Sequence, residues 1–360
     1  MTSNLDSNHK FLGLDALRGA AAVTVAVGHA AVLFGFRPGS SYLAVDLFFV
    51  LSGFVLAHAY DRKIERGMGS IEFMRVRLIR LYPMYCLGTL AATLAILLAV
   101  AGSRTTTWGL SNLAASLPFA LAFLPTPPGL APREAIYPLD TPAWSLAFEL
   151  VVNLAFVVVW RSMSIRRLIM VVILAGAALV FTAFHFGDLS DGSDWHTLLG
   201  GFPRVFFSFP LGVLLLRLYR ERNLRLHLGP LVPLAVMLAV LFFEPSVSYR
   251  PAYDLVCVML VFPIIVVAGA AVQPLRLAAP FALMGTLSYA LYALHFPLME
   301  MTISALTRIS HGNLPRYQPW AGLGFIVIAL VAAHVADRWI DAPARRWLSQ
   351  RFSTRSKRPS

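Results

Sequence analysis

Apolar residues gather into ten long runs, at 12–36, 42–60, 78–101, 143–160, 168–185, 198–218, 229–243, 253–272, 281–301 and 320–340. Short polar connections, most of them basic, separate these runs. A helix of about 20 apolar residues crosses the hydrocarbon core of a bilayer. The pattern therefore predicts an all-α polytopic membrane protein with about ten transmembrane helices. The run at 229–243 is the weakest, being short and holding Pro233. A further apolar stretch at 113–124 is shorter still and runs into Pro125, Pro127 and Pro128, which suits an interfacial or re-entrant segment. Residues 1–10 read as a polar N-terminal tail, 11–346 as the transmembrane domain, and 347–360 as a basic tail.

Composition supports a membrane solvent. Of the 360 residues, 58% are hydrophobic and 13% are charged, against about a quarter charged in soluble domains. Mean hydropathy is +0.69. The net charge is +12, but the basic residues flank apolar runs, which points to topology control and not to nucleic acid. With the N-terminus in the cytoplasm, the inner connections hold about 22 Lys and Arg against about 7 outside. An even number of spans then returns the C-terminus to the cytoplasm. The first run is too long for a signal-peptide core, so it reads as a retained span. Cys86 and Cys257 lie in separate apolar runs, with neither metal-ligand spacing nor a disulfide framework.

Ionisable groups inside spans are costly and so mark candidate chemistry. On a helix, Arg18 and His29 share a face about 16 Å apart along the axis, with Asp15 about 40° from His29. Ala22 and Ala26 leave room for a thin ligand along that face. Asp46 and Glu149, on the second and fourth spans, are expected at the depth of His29, where either could orient an imidazole acting as general base. Arg77 and Arg80 lie three apart at the cytoplasmic edge, a spacing that puts two guanidinium forks on one face for phosphate. Ser288, Tyr292 and His295 fall roughly on one face of the ninth span.

These segments together resemble the acyltransferase family three membrane proteins. Arg18, ten residues, then His29 resembles the family's first-span signature. The run from Asp46 through Ser52 to Phe54 resembles its second-span motif. Arg77-x-x-Arg80-x-x-Pro83 is similar to its basic motif, and Trp144-Ser145-Leu146-x-x-Glu149 to its fourth-span motif. Ser288-Tyr289-x-Leu291-Tyr292-x-x-His295-x-Pro297 and Asp341-x-Pro343 complete the ordered set. Leu150 stands where relatives often carry a second acid, and Asp341 where Glu is usual. No fused extracytoplasmic domain follows the last span, as in stand-alone members.

The resemblance implies a membrane O-acyltransferase of the bacterial cytoplasmic (inner) membrane. The implied donor substrate is acyl-CoA, acetyl-CoA foremost, with no tightly bound cofactor and no metal. Arg18, Arg77 and Arg80 would hold the donor's nucleotide, and the pantetheine arm would lie along the first span. His29 would act as base on the hydroxyl of a glycan or other acceptor, with Glu149 or Asp46 orienting it. The loop at 102–140, with Trp108 and Tyr137, is the expected acceptor platform. Direct transfer and an acyl-imidazole intermediate both remain open, as do acceptor identity, acyl length and oligomeric state. A secondary transporter of a polar or sugar-like solute is the alternative from another class, since it too places ionisable groups at mid-membrane.

Overall fold

The computed structural model describes residues 10–101, 107–273 and 276–352. Their regular structure is helical, apart from one isolated bridge between Ala135 and Asp194. In chain order the helices are α1 (Leu12–His29), α2 (Ala31–Phe34), α3 (Ala44–Glu65), α4 (Ser70–Ala101), α5 (Leu110–Leu121), α6 (Ala143–Val159) and α7 (Ile165–Phe186). Then follow α8 (Leu198–Glu221), α9 (Val232–Phe242), α10 (Arg250–Val256), α11 (Phe262–Ala271), α12 (Ala278–Ile309), α13 (Trp320–Ala336) and α14 (Ala342–Phe352).

Every one of the ten apolar runs holds a helix. Among the described residues, seven segments are long and apolar enough to cross a membrane: Ser41–Glu65, Ser70–Ala101, Ile165–Phe186, Leu198–Glu221, Val247–Ala271, Ala278–Ile309 and Trp320–Phe352. The chain is thus an all-α polytopic membrane protein with about seven long apolar helices. The expectation of ten spans is met in number of helical runs but not in length. Helix α1 carries Asp15 and Arg18 within 18 residues, α6 has 17 residues and α9 has 11.

The boundaries also move. The first run breaks after His29, and Gly35, in the left-handed region at φ 80, ends the short α2. Helices α4 and α12 outlast their apolar runs, each reaching 32 residues. The last helix continues to Phe352, six residues past the expected edge of the transmembrane domain, while residues 1–9 and 353–360 lie outside the described residues.

In lipid the hydrophobic effect does not drive helices together, so small residues and polar pins must do so. Helices α3 and α8 meet through Gly53 and Gly212. A Cβ on either would fall 2.0 Å from a carbonyl oxygen of the other helix. A wholly buried Arg204–Asp46 pair, closing at 2.7 Å, locks the same two helices. Helices α1 and α12 run side by side, with Gly19 against Met284 and Gly285 against Asp15. The outward faces of α7 and α13 expose Ile173, Leu174, Phe181, Val327, Ile328 and Val331, as a lipid-facing surface requires.

A π turn at Asp337–Asp341 joins α13 to α14. It widens the helix by a residue and carries Asp341 to the interior, where it is 1% exposed. Such insertions recur at functional sites.

Candidate active site

The pairing of α1 with α12 brings together two histidines. His29 Nδ1 lies 2.7 Å from His295 Nε2, and His295 Nδ1 lies 2.7 Å from the carbonyl oxygen of Tyr292. A carbonyl only accepts, so His295 Nδ1 carries the proton and its Nε2 the lone pair. His29 Nδ1 must then donate. The lone pair of a neutral His29 is left on Nε2, pointed away from the pair. His295 is buried, whereas His29 is exposed.

One turn below His295, the Tyr292 hydroxyl meets Ser145 Oγ at 2.7 Å, and both lie within hydrogen-bond reach of the Pro142 carbonyl. Lower still is a band of arginines. Arg18 donates to Ser288 at 2.9 Å, to Asp15 at 2.8 Å and to the Gly285 carbonyl at 3.0 Å. Arg77 and Ser52 both donate to Glu149 Oε1 at 2.7 Å. Arg80 lies 3.5 Å from Asp341 and over the ring of Tyr289, whose hydroxyl bonds the Leu81 carbonyl.

A cavity of about 490 Å³ joins the arginine band to the Ser145–Tyr292 level; neither His29 nor His295 lines it. Its wall on α3 runs from Val45 to Tyr60, a length of about 22 Å at the helical rise. Four arginines line it, Arg18, Arg77, Arg80 and Arg345, against the single carboxylate Glu149. At the other end its walls include Tyr292 and Phe48, whose rings meet edge to face at 5.5 Å. The Tyr292 ring in turn sits 5.7 Å from that of His295.

Several expected placements are corrected. Neither Glu149 nor Asp46 orients His29; that contact belongs to His295. Glu149 is not at the depth of His29. The first turn of α6 already meets Tyr292, and Glu149 lies four residues, or about 6 Å, further toward the arginines. Asp46 is consumed by Arg204, which also donates to the carbonyls of Asp191 and Tyr42 and stacks over Trp144 at 5.2 Å. Trp144 is therefore a wall of that ion pair and does not line the cavity. The room expected along α1 is filled, because Ala22 and Ala26 are buried against α12 and α13. The open path follows α3 instead. Trp108 is buried in a small apolar cluster and Tyr137 in the main core against Tyr85 and Phe123, so neither is an exposed acceptor platform.

Sequence reasoning missed Arg204 and Arg345. Arg204 had a usable signal, a charged residue inside an apolar run. Arg345 had none, because it follows the last run among other basic residues. Among the described residues, no group of three or more His, Cys, Asp or Glu could hold a metal ion.

The family model described as an acyltransferase domain matches residues 11–336. The chain belongs to that family, and it is a membrane acyltransferase. It is 40% identical over 185 residues to protein 2 in the picA locus of Rhizobium radiobacter, covering 49% of this chain and 96% of that one. It is 25% identical over 335 residues to the acyltransferase MdmB of Streptomyces mycarofaciens, covering 86% and 82%. It is 29% identical over 160 residues to the exopolysaccharide production protein ExoZ of Rhizobium meliloti, covering 42% and 47%. No solved structure matches. With bacterial relatives and a bundle of apolar helices, it is an integral membrane protein, consistent with the inner membrane.

Proposed function

We propose that the protein transfers an acyl group, acetyl foremost, from cytoplasmic acyl-CoA to a hydroxyl of a glycan or other acceptor at the outer side of the membrane. One observation carries this reading. A single cavity begins among four arginines and ends at the aromatic wall beside the histidine pair. Its length of about 22 Å suits a pantetheine arm between a diphosphate and a thioester. The positive-inside bias puts the arginine end in the cytoplasm.

The chemistry follows from the tautomers. His29 Nε2 takes the proton of the acceptor hydroxyl as its oxygen attacks the thioester carbonyl. The C–S bond breaks, and the thiolate recovers the proton from His29. The products are an ester and free CoA. His295 holds His29 in the productive tautomer and, by accepting from Nδ1–H, stabilises the imidazolium that forms.

The acceptor side is supported by a ledge beside His29. Phe296 meets the His29 ring edge-on at 5.8 Å, and Arg133 lies over Phe296 and pairs with Glu300 at 3.1 Å. An aromatic face flanked by exposed charges suits a polyol. The similarity to the Rhizobium meliloti exopolysaccharide production protein favours the same class.

The test is transfer of label from acetyl-CoA by purified protein in nanodiscs, with lysate glycans as the acceptor pool. Wild type should label a product and a folded His29→Ala variant should not. Equal labelling by both would remove His29 from the mechanism. Solute accumulation without acyl-CoA, and no transfer, would favour transport.

A further inference from the structure

We propose that Arg345, on α14, is a donor-binding residue that grips the diphosphate of the acyl-CoA. This rests on the proposed function. It goes beyond the family match, which ends at residue 336, before α14 begins.

Helix α14 is fastened to α4 at both ends. Asp341 just before it pairs with Arg80, and its last carbonyl, that of Phe352, accepts from Arg75 at 3.1 Å. So held, α14 puts Arg345 and Ser349 into the wall of the cavity at the arginine end. Arg345 lies 2.8 Å from Asp341 and 3.4 Å from Asp337. Asp341 is thus shared between Arg80 and Arg345, two guanidiniums on one carboxylate.

The sharing is incomplete as hydrogen bonding. Arg345 Nε, Arg80 Nη1 and Arg77 Nε are all buried yet make no directed hydrogen bond. Arg345 Nε and Arg80 Nη1 approach Asp341 off axis, and Arg77 pairs with Glu149 through Nη2, which leaves its Nε unmet. Buried donors left in this state cost stability unless a ligand completes them. The four lining arginines are matched by Asp15, Glu149, Asp337 and Asp341, so it is the three unmet guanidinium donors, not a surplus of charge, that favour an anion with several oxygens. Its several oxygens must reach α4 and α14 together, which a diphosphate does and a single carboxylate does not.

Level distinguishes the diphosphate from the nucleotide's 3′-phosphate. Arg80 sits beside Tyr289, next to the Ser288 that Arg18 holds, so the cluster lies at the depth of Arg18. That depth is about 16 Å from His29 along α1. A pantetheine arm with its thioester near His29 places the diphosphate there and the 3′-phosphate further out.

The experiment measures binding of CoA, 3′-dephospho-CoA and pantetheine to the full protein in detergent, for wild type, Arg345→Ala and Arg345→Lys. Arg345→Ala should weaken CoA and 3′-dephospho-CoA alike by about tenfold or more, as loss of a charge-assisted contact does, and should leave pantetheine unchanged. Arg345→Lys should fall between, keeping the charge and losing the fork. Equal weakening of pantetheine would mean Arg345 only supports the fold, and a penalty confined to CoA would assign it to the 3′-phosphate. Either overturns the proposal, as does unchanged CoA affinity. If Arg345→Ala does not fold, the lysine variant decides by the same comparison. A wild type that binds no CoA would instead overturn the proposed donor.

Discussion

In the proposed mechanism the reactive nitrogen, His29 Nε2, is set by a main-chain carbonyl. The Tyr292 carbonyl fixes His295, and His295 fixes His29, so truncating the second ring should release the first into the wrong tautomer. His29→Ala should lower the transfer rate by about 10²–10⁴, the usual worth of a general base. His295→Ala should lower kcat with little change in donor KM, measured by steady-state kinetics on the same label-transfer assay. A rise in donor KM alone would place His295 in binding. Asp140 offers a separate test, in the segment before α6. It is buried with Oδ1 unpaired, and burial pushes its carboxyl up to about 8. The folded protein therefore holds a proton there that the unfolded chain releases near pH 4. Its contribution to stability falls as pH rises from about 4 to about 8 and is flat beyond. Melting curves should show Asp140→Asn gaining on wild type at pH 8 relative to pH 5. Parallel pH dependence would contradict this. At this scale the sequence exposed His29, Arg18, Glu149 and His295 as charges in apolar runs. Their partners were hidden, because a partner depends on which helix packs alongside.

Helices α3 and α8 explain why Asp46 is present. Its carboxylate and Arg204 are both 0% exposed, so each neutralises the other in a place without water. Removing one partner should cost about 3–5 kcal/mol by stranding the other charge, whereas an apolar pair should be tolerated. Arg204→Met alone should lose folded yield in size-exclusion profiles. The Asp46→Leu, Arg204→Met double variant should recover it together with measurable transfer. A folded but inactive double variant would return Asp46 to the chemistry. The helices themselves were legible from hydropathy, including the short α9 with its early Pro233. The depth at which α6 begins was not. The fourth run is expected to put Glu149 level with His29, yet the Pro142 carbonyl already meets Tyr292 one turn below His295. That offset moves Glu149 from the histidine level to Arg77, and a hydropathy pattern holds no information about it.

Across the whole molecule the cavity runs along α3, with arginines at one end and the histidine pair beyond the other. On the proposed function, this arrangement gives the transfer a direction. In the proposed function the donor arrives among Arg18, Arg77, Arg80 and Arg345, and the acceptor meets His29 beside Phe296 and Arg133. Ionisable residues in the runs hinted at this path, but its route along α3 depends on Ala22 and Ala26 being packed shut. The most direct test is transfer by protein reconstituted in vesicles of one known orientation, with labelled acetyl-CoA and the glycan pool on chosen sides. The account predicts labelled product when acetyl-CoA is supplied only at the arginine face and acceptor only at the histidine face, with none when the two are exchanged. Product formed only when donor and acceptor share one side would contradict it.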